Sequence, residues 1–178
     1  MALVTDLTIL PSLAQQHRDM FEVMLYQLQD DDDLSDEMID ALADSIAQPI
    51  VDAIDCKTCG NCCKNLDVQL GKDDLERLAN GIDIPISEIQ ASVAIQAHDD
   101  PDIIGIFADK PCRFFDGNLC TVYKHRPTSC RDYPQFTPDF RWMLGWMIEG
   151  AHLCPIIYNV LLEMSTKVDD LQREQSQL

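Results

Sequence analysis

The chain has 178 residues, of which 46% are hydrophobic, and its formal net charge at pH 7 is −18. This length and apolar content fit one domain with a hydrophobic core, with room for a helical extension. Because so acidic a surface repels phosphate, the charge argues against nucleic-acid binding and favours a basic protein partner. No apolar run approaches the ~20 residues that cross a bilayer, so no membrane span is expected.

Two helices are predicted at the start of the chain. Apolar residues at helical spacing predict the first over residues 13–29, and the aspartate run 30–33 ends it in a solvated turn. Ser35 is placed to cap a second helix over residues 35–54. Within that helix Pro49 removes an amide donor, so we expect a kink or a restart there.

The cysteines begin directly after these helices. Four of the eight fall in the string Cys56-Lys57-Thr58-Cys59-Gly60-Asn61-Cys62-Cys63, and four follow it: Cys112, Cys120, Cys130 and Cys154. Thiols this dense are either metal ligands or disulfide partners. The first 13 residues contain an aspartate, no Lys or Arg and no long apolar core, so we expect no secretory signal and a cytoplasmic protein with reduced thiols. We therefore predict that all eight cysteines converge as metal ligands.

Short strands and helices follow the cysteine string. Leu66–Leu70 alternates like a short strand, and a helix over residues 73–80 is expected to be capped by Asp73 and ended by Gly81. A further helix is predicted over residues 87–97.

A strand and a hairpin come next. Ile103–Phe107 predicts the strand, and Arg113–Val122 predicts a hairpin that turns at residues 116–118. The hairpin makes Cys112 and Cys120 cross-strand neighbours that are able to share one ion.

The C-terminal part of the chain carries the last cysteine. Phe140–Ile148 is aromatic and apolar and predicts a strand beneath the site. Pro155 suits the first position of a helix over residues 155–171, which we expect to pack on the N-terminal helices. Cys154 then lies at a helix N-terminus, where free amides stabilise a thiolate. His152 is a further candidate ligand.

Two arginines stand close to cysteines in this acidic chain. Arg126 and Arg131 flank Cys130 in sequence. Cations near thiolates lower the thiol pKa and offset the charge of a thiolate-rich site. The alternative role for both is ion pairing with the many surface carboxylates.

The cysteine spacing fits more than one metal. Cys56-x2-Cys59-x2-Cys62 has the spacing of bacterial ferredoxins, which hold a 4Fe–4S cluster and whose further ligand is a Cys followed by Pro, as in Cys154-Pro155. Cys-x2-Cys is also half of a zinc ribbon, and eight thiolates are enough for two zinc ions. Since the adjacent side chains of Cys62 and Cys63 diverge, they serve different metals or only one is a ligand.

We predict a division into two centres. The first, an iron–sulfur cluster, is assigned to Cys56, Cys59, Cys62 and Cys154. The second, zinc or another structural metal, is assigned to Cys63, Cys112, Cys120 and Cys130. The competing arrangement is one cluster together with several free thiols.

The cysteines belong to one long spaced pattern. It consists of the cysteine string, Pro111-Cys112-Arg113-Phe114, Cys120-Thr121-Val122-Tyr123 and Arg126-Pro127-x2-Cys130-Arg131-x-Tyr133-Pro134. This pattern resembles the CxxCxxCC or YkgJ-type family of cysteine-cluster proteins over residues 55–155. The resemblance implies a zinc- or iron-chelating domain of poorly defined activity. A related cluster occurs in flagellin lysine methylases, which are larger proteins.

The predicted fold is α+β, a small and mostly helical domain with a short β-hairpin, cross-linked by the multi-cysteine metal site. Residues 1–54 form a helical extension packing on the core, and residues 55–178 form the cysteine-cluster domain with its C-terminal helix.

The predicted function is a metal-binding protein with an iron–sulfur cluster, acting in electron transfer, cluster handling or metal sensing. One alternative is a zinc-stabilised adaptor whose helices bind a protein partner. The other is an iron-dependent enzyme of unknown substrate. No nucleotide-binding loop, serine-hydrolase elbow or zinc-protease motif occurs in the sequence, so no catalytic residue is predicted.

Overall fold

The computed structural model describes residues 2–91, 93, 101–107, 109–117 and 119–175. The chain divides into two compact units, Met1–Asp55 with Pro134–Leu178, and Cys56–Tyr133. The helices and strands are, in chain order, α1 Leu10–Asp30, α2 Asp36–Ala53, α3 Cys56–Cys59, α4 Asn61–Asn65, β1 Val68–Gly71, α5 Lys72–Ile82, α6 Ile86–Gln90, β2 Ile103–Phe107, β3 Phe115–Asp116, β4 Leu119–Cys120, α7 Thr128–Arg131, α8 Phe140–Gly150 and α9 Pro155–Gln175.

The first unit packs its helices α1, α2, α8 and α9 against one another. Each helix turns an apolar stripe inward, because its hydrophobic residues recur every three or four positions. Fully buried side chains on these stripes include Phe21, Met24, Leu28, Ile39, Phe140, Leu144, Tyr158, Leu161 and Met164. The predicted packing of the C-terminal helix on the N-terminal helices is confirmed. Among the described helices, none combines the length and the apolarity needed to span a membrane.

The start of α8 is held by polar groups of α2 and of the loop before it. Asp40 accepts hydrogen bonds from the backbone N–H groups of Asp139 and Phe140 at 3.0 and 2.9 Å, which satisfies free amides at the start of α8. Buried Arg141 lies 3.0 Å from a carboxylate oxygen of Asp36 and donates to the backbone oxygen of Asp31 at 3.3 Å. These contacts join the acidic loop and α8 within the first unit.

The prediction of a strand over Phe140–Ile148 is wrong, since this segment forms most of α8. Its buried residues Phe140, Leu144 and Met147 follow helical spacing, whereas a strand would bury alternate residues. Of the three aromatic residues that favoured a strand, Phe140 is buried and the two tryptophans are exposed to solvent.

The other predicted helices are confirmed within a few residues. Ser35 caps α2 as predicted, accepting from the Met38 N–H at 3.3 Å, and α2 continues through Pro49. The helix predicted over residues 87–97 is the exception: α6 ends at Gln90, Ala91 and Val93 are not helical, and positions 92 and 94–97 lie outside the described residues.

The second unit combines short helices with two-stranded antiparallel ladders. In one ladder β1 pairs with β2, with Val68 opposite Phe107; in the other β3 pairs with β4, with Phe115 opposite Cys120. The predicted strand at Ile103–Phe107 and the predicted hairpin are therefore confirmed, with turn residue Asn118 outside the described part of the chain. The prediction of a mostly helical α+β fold is also confirmed.

The core of the second unit is small. Its buried members are Val68, Leu70, Leu75, Leu78, Ala79, Ile89, Phe107 and Val122. The side chains of Cys112, Cys120 and Cys130 pack against this same cluster. Because a core of this size contributes limited burial energy, a cross-link at its edge would add substantially to the stability of the unit.

Candidate metal centre

The cysteine string folds as two single-turn helices. Cys56 and Cys59 lie at the two ends of α3, and Cys62 and Cys63 lie in α4. Gly60 joins the helices with a φ of +58°, a left-handed conformation that glycine adopts without strain. Cys56 is exposed and Cys59 and Cys62 are half-buried, so these three, which we call the outer thiols, are open to solvent to differing degrees.

Cation–π contacts attach the two short helices to the hairpin region. The Lys57 Nζ atom of α3 lies 5.0 Å from the centre of the Tyr123 ring, and the Lys64 Nζ atom of α4 lies 5.5 Å from the centre of the Phe115 ring. Helix α3 also contacts β4, which carries Cys120. The cysteine string therefore lies beside the hairpin although more than fifty residues separate them in sequence.

The other four cysteines of the second unit are connected by backbone hydrogen bonds, by the hairpin and by the core on which they pack. The Cys112 N–H donates to the Cys63 carbonyl oxygen at 2.7 Å, and the Phe115 N–H donates to the Cys112 carbonyl oxygen at 2.8 Å. Phe115 faces Cys120 across the hairpin, and Cys130 lies in α7 against the same core as Cys112 and Cys120. We call Cys63, Cys112, Cys120 and Cys130 the inner thiols.

The inner thiols raise one another's pKa. Burial, followed by the charge of Cys112, raises the pKa of Cys130 to about 12, and Cys63 and Cys120 act in the same direction. Burial also raises the pKa of Cys112, with contributions from Cys63 and Cys120. Each ionised sulfur thus opposes ionisation of the others, which is the condition that a bound cation relieves.

Cys63 differs from the other inner thiols. A hydrogen bond from the Cys62 side chain lowers the pKa of Cys63 to about 6, and the charge of Arg126 contributes to this shift against the effect of burial. Cys63 is thus the inner thiol most readily available as a thiolate near neutral pH, the form that binds metal.

Arg126 supplies a fixed positive charge beside the inner thiols. Its guanidinium carbon lies 3.7 Å from the centre of the Tyr123 ring, its Nε donates to the Tyr123 carbonyl oxygen at 3.0 Å, and its Nη1 donates to the Cys130 carbonyl oxygen at 3.4 Å. The charge contributes to the lowered pKa of Cys63, and at Cys120 it opposes burial, which raises the pKa of that thiol. Of the two arginines predicted to offset thiolate charge, Arg126 therefore acts on the thiols, whereas Arg131 is exposed at the end of α7.

Backbone N–H donors reach two of the inner sulfurs, and sequence reasoning missed them. The Phe114 N–H donates to the Cys112 sulfur and the Val122 N–H donates to the Cys120 sulfur, in each case two residues after the cysteine. The Ser129 hydroxyl, next to Cys130, instead donates to the Gln69 carbonyl oxygen at 2.7 Å. Donors to sulfur stabilise the thiolate form and orient ligands around a metal. The recurrent Cys-x-hydrophobic spacing was the only sequence signal for the first two.

Asp74 positions the helix that carries Cys130. Its buried carboxylate accepts from the Gly71 N–H at 2.9 Å, from the Thr128 N–H at 3.0 Å and from Arg77 Nη1 at 2.6 Å. The predicted cap at Asp73 is therefore wrong: α5 begins at Lys72, and Asp74 joins its start to the start of α7. Sequence reasoning missed this role because Thr128 lies 54 positions away.

The remaining candidate ligands lie in the first unit. Cys154 is buried directly before α9, and its carbonyl oxygen accepts from the Tyr158 N–H at 3.0 Å, so the helix begins at Pro155 as predicted. His152 is exposed, and its Nδ1 donates to the Glu149 carbonyl oxygen at 2.7 Å. Assignment of Cys154 as a ligand of the first centre stays a prediction.

The chemistry of the inner thiols fits a thiophilic metal. Within the described residues, no three Cys, His, Asp or Glu side chains are already closed to metal-binding distances. The inner thiols nevertheless provide four soft ligands, donors to sulfur, a neighbouring guanidinium and an apolar floor, which are the features of a thiolate centre. Binding would therefore require the four sulfurs to draw together around the ion.

The thiols of Cys63 and Cys130 are expected to have widely different pKa values. In metal-free protein kept cold enough for the second unit to stay folded, a short pulse of iodoacetamide should modify Cys63 with a midpoint near pH 6, because its thiolate is stabilised, whereas Cys130 should resist until close to pH 12. Mass spectrometry of each cysteine peptide measures both profiles. In urea, where the environments are lost, both should titrate near the ordinary thiol value of ~8.5. Equal midpoints in the folded protein would contradict the described environments.

Comparison with known families gives one description for this arrangement. Residues 55–149 match the family model CxxCxxCC, described as "Putative zinc- or iron-chelating domain". Comparisons with curated proteins and with solved structures gave no match. The matched segment holds seven of the eight cysteines and more than half of the chain. The chain therefore belongs to the CxxCxxCC family of zinc- or iron-chelating domains, as its cysteine spacing predicted.

Proposed function

We propose that this protein binds metal through two sets of thiolates and that the inner thiols form a closed centre with four sulfur ligands. The observation that carries the proposal is that Cys112, Cys120 and Cys130 pack against the second unit's core, while the backbone of Cys63 is hydrogen-bonded to that of Cys112. Four thiolates leave excess negative charge around a divalent ion, and Arg126 is placed to offset part of it.

Zinc suits the inner centre best. Structural zinc sites are closed and use four cysteine ligands, with no open position for substrate. The inner thiols lie on separate elements, namely α4, the segment before β3, β4 and α7. An ion shared by them would fasten these elements to each other and to the small core, so its role is structural.

We assign the second centre to the outer thiols. Cys56, Cys59 and Cys62 have ferredoxin spacing, and the exposure of Cys56 favours exchange with another protein. An iron–sulfur cluster at this position would act in electron transfer, cluster handling or metal sensing, within the reducing cytoplasm.

A zinc-stabilised adaptor is the second candidate function. The first unit has its own core, and it exposes two tryptophans on α8. In an adaptor of this kind, the metal is structural and the helices of the first unit bind a partner protein. The described residues offer no group of catalytic side chains that would favour the third alternative, an iron-dependent enzyme.

Anaerobic purification followed by metal and sulfide analysis separates the two candidates. The proposal predicts a brown protein with broad visible absorbance, acid-labile sulfide, iron and zinc. A colourless protein that contains zinc alone would support the adaptor and reject the cluster. A protein with neither metal after purification without chelators would contradict both.

A further inference from the structure

Helix α8 presents two tryptophans to solvent. Trp142 is 58% exposed and Trp146 is 83% exposed, one turn apart on the same face of the helix. Gly145 lies between them in sequence, and a Cβ atom added to it would have no other side chain within 4 Å. Tryptophan usually buries most of its large ring, so a pair held in water is typical of a contact surface. We call Trp142, Gly145 and Trp146 the tryptophan face.

Carboxylates surround the tryptophan face. The Trp142 indole Nε1 donates to Asp36 at 3.3 Å, and Asp139 precedes Trp142 by three positions on α8. Glu149 follows Trp146 by three positions, and its hydrogen bond with Arg18 lowers its pKa, so it is ionised at neutral pH. An apolar centre with a charged rim is the usual composition of a protein interface.

Charge is divided unequally between the two units. The first unit contains 19 Asp and Glu against 4 Lys and Arg, so it carries −15 of the chain's −18. The second unit contains 12 against 9 and carries −3. The attraction for a basic partner is therefore concentrated on the unit that exposes the tryptophans.

We propose that the tryptophan face docks a basic segment of a partner protein, with Arg or Lys side chains lying on the indole rings. Cation–π contact satisfies the rings, and the Asp139 carboxylate pairs with a neighbouring cation, while Asp36 and Glu149 keep the arginines that they already bind. A second copy of this chain would bring −15 against −15, and an anionic membrane would likewise be repelled. None of the three residues of the tryptophan face is a candidate metal ligand, so the proposal goes beyond metal binding.

The test uses a fluorescein-labelled peptide of alternating arginine and alanine, titrated with the purified full chain near 0.15 M salt. Anisotropy should report binding that Trp146→Gln weakens about tenfold, the scale of an interface hot spot. The matched control is Tyr26→Gln, another exposed aromatic in the first unit, which should change affinity less than about twofold. Asp139→Asn should weaken binding more than Asp32→Asn, which removes the same charge from the acidic loop.

Several results would overturn the proposal. Unchanged binding in Trp146→Gln would show that only net charge attracts the peptide, and equal losses in Trp146→Gln and Tyr26→Gln would show that exposed aromatic residues bind it without a defined face. Equal binding of a glutamate–alanine peptide would remove the charge argument. Self-association in sedimentation experiments that Trp146→Gln abolishes would assign the face to a second copy, and binding to phosphatidylserine vesicles that the same variant abolishes would assign it to a membrane.

Discussion

Removing metal from the protein is expected to loosen the second unit and to leave the first unit intact. Structural zinc contributes roughly 10 kcal/mol to folding in small domains, because the ligand set does not exist in the unfolded chain. The second unit has a small core with three inner thiols at its edge, so it depends on the ion more than the first unit, which buries long apolar stripes of its own.

Hydrogen exchange followed by mass spectrometry measures this difference within one sample. After treatment with a chelator, amides of residues 56–133 should lose protection, and those of α1 and α9 serve as the internal control and should keep theirs. The thermal midpoint of the second unit should fall. Unchanged protection and an unchanged midpoint in a protein shown to have lost its metal would mean that the metal is not structural.

Asp74→Ala is expected to destabilise the second unit by about 2 kcal/mol, because it removes a buried carboxylate that accepts from the part-buried Gly71 and Thr128 N–H groups and pairs with Arg77. The same change frees the start of α7, so metal retention by Cys130 and the other inner thiols should also weaken. Urea unfolding and metal content check the two effects.

The neighbouring variant Asp73→Ala is the matched control. Asp73 lies in the same first turn of α5 but is exposed, so its loss should cost only about 0.5 kcal/mol through the helix dipole. Equal effects of the two substitutions would show that Asp74 acts as an ordinary first-turn acid and does not anchor α7.

Long elements were predictable because their apolar periodicity is local. The helices α1, α2 and α9 carry several turns of inward-facing residues, and β2 is a compact apolar run. Segment 140–148 was mistaken for a strand, since its exposed tryptophans masked the helical spacing of the buried residues. Composition alone cannot tell which aromatic side chains face solvent.

Gly81 shows what local reasoning cannot reach. It was predicted to end α5, but the helix continues to Ile82 and ends at Asp83, which adopts a φ of +55°. A Cβ on Gly81 would stand 2.2 Å from the Cγ of His125, so this position has room only for glycine. The constraint comes from a residue 44 positions away and is visible only in the folded chain.

The sequence identified the candidate cysteines but not the groups that surround them. The hairpin was predicted to make Cys112 and Cys120 cross-strand neighbours, but Phe115 faces Cys120 and Cys112 lies before β3. Cys112 and Cys120 instead share the core of the second unit, together with Cys130. The carboxylate of Asp74 and the N–H donors of Phe114 and Val122 were missed, since they depend on tertiary contacts and on backbone direction. The bound metal and its ligands stay predictions.

Metal counts in a pair of single variants test the two-centre account most directly. Cys59→Ser and Cys120→Ser each replace one sulfur, the first among the outer thiols and the second among the inner thiols. Both proteins and the unaltered chain are purified anaerobically, and iron, sulfide and zinc are counted per chain. The account predicts that Cys59→Ser loses iron and sulfide but keeps zinc, and that Cys120→Ser loses zinc but keeps iron. Equal loss of the same metal from both variants would contradict it.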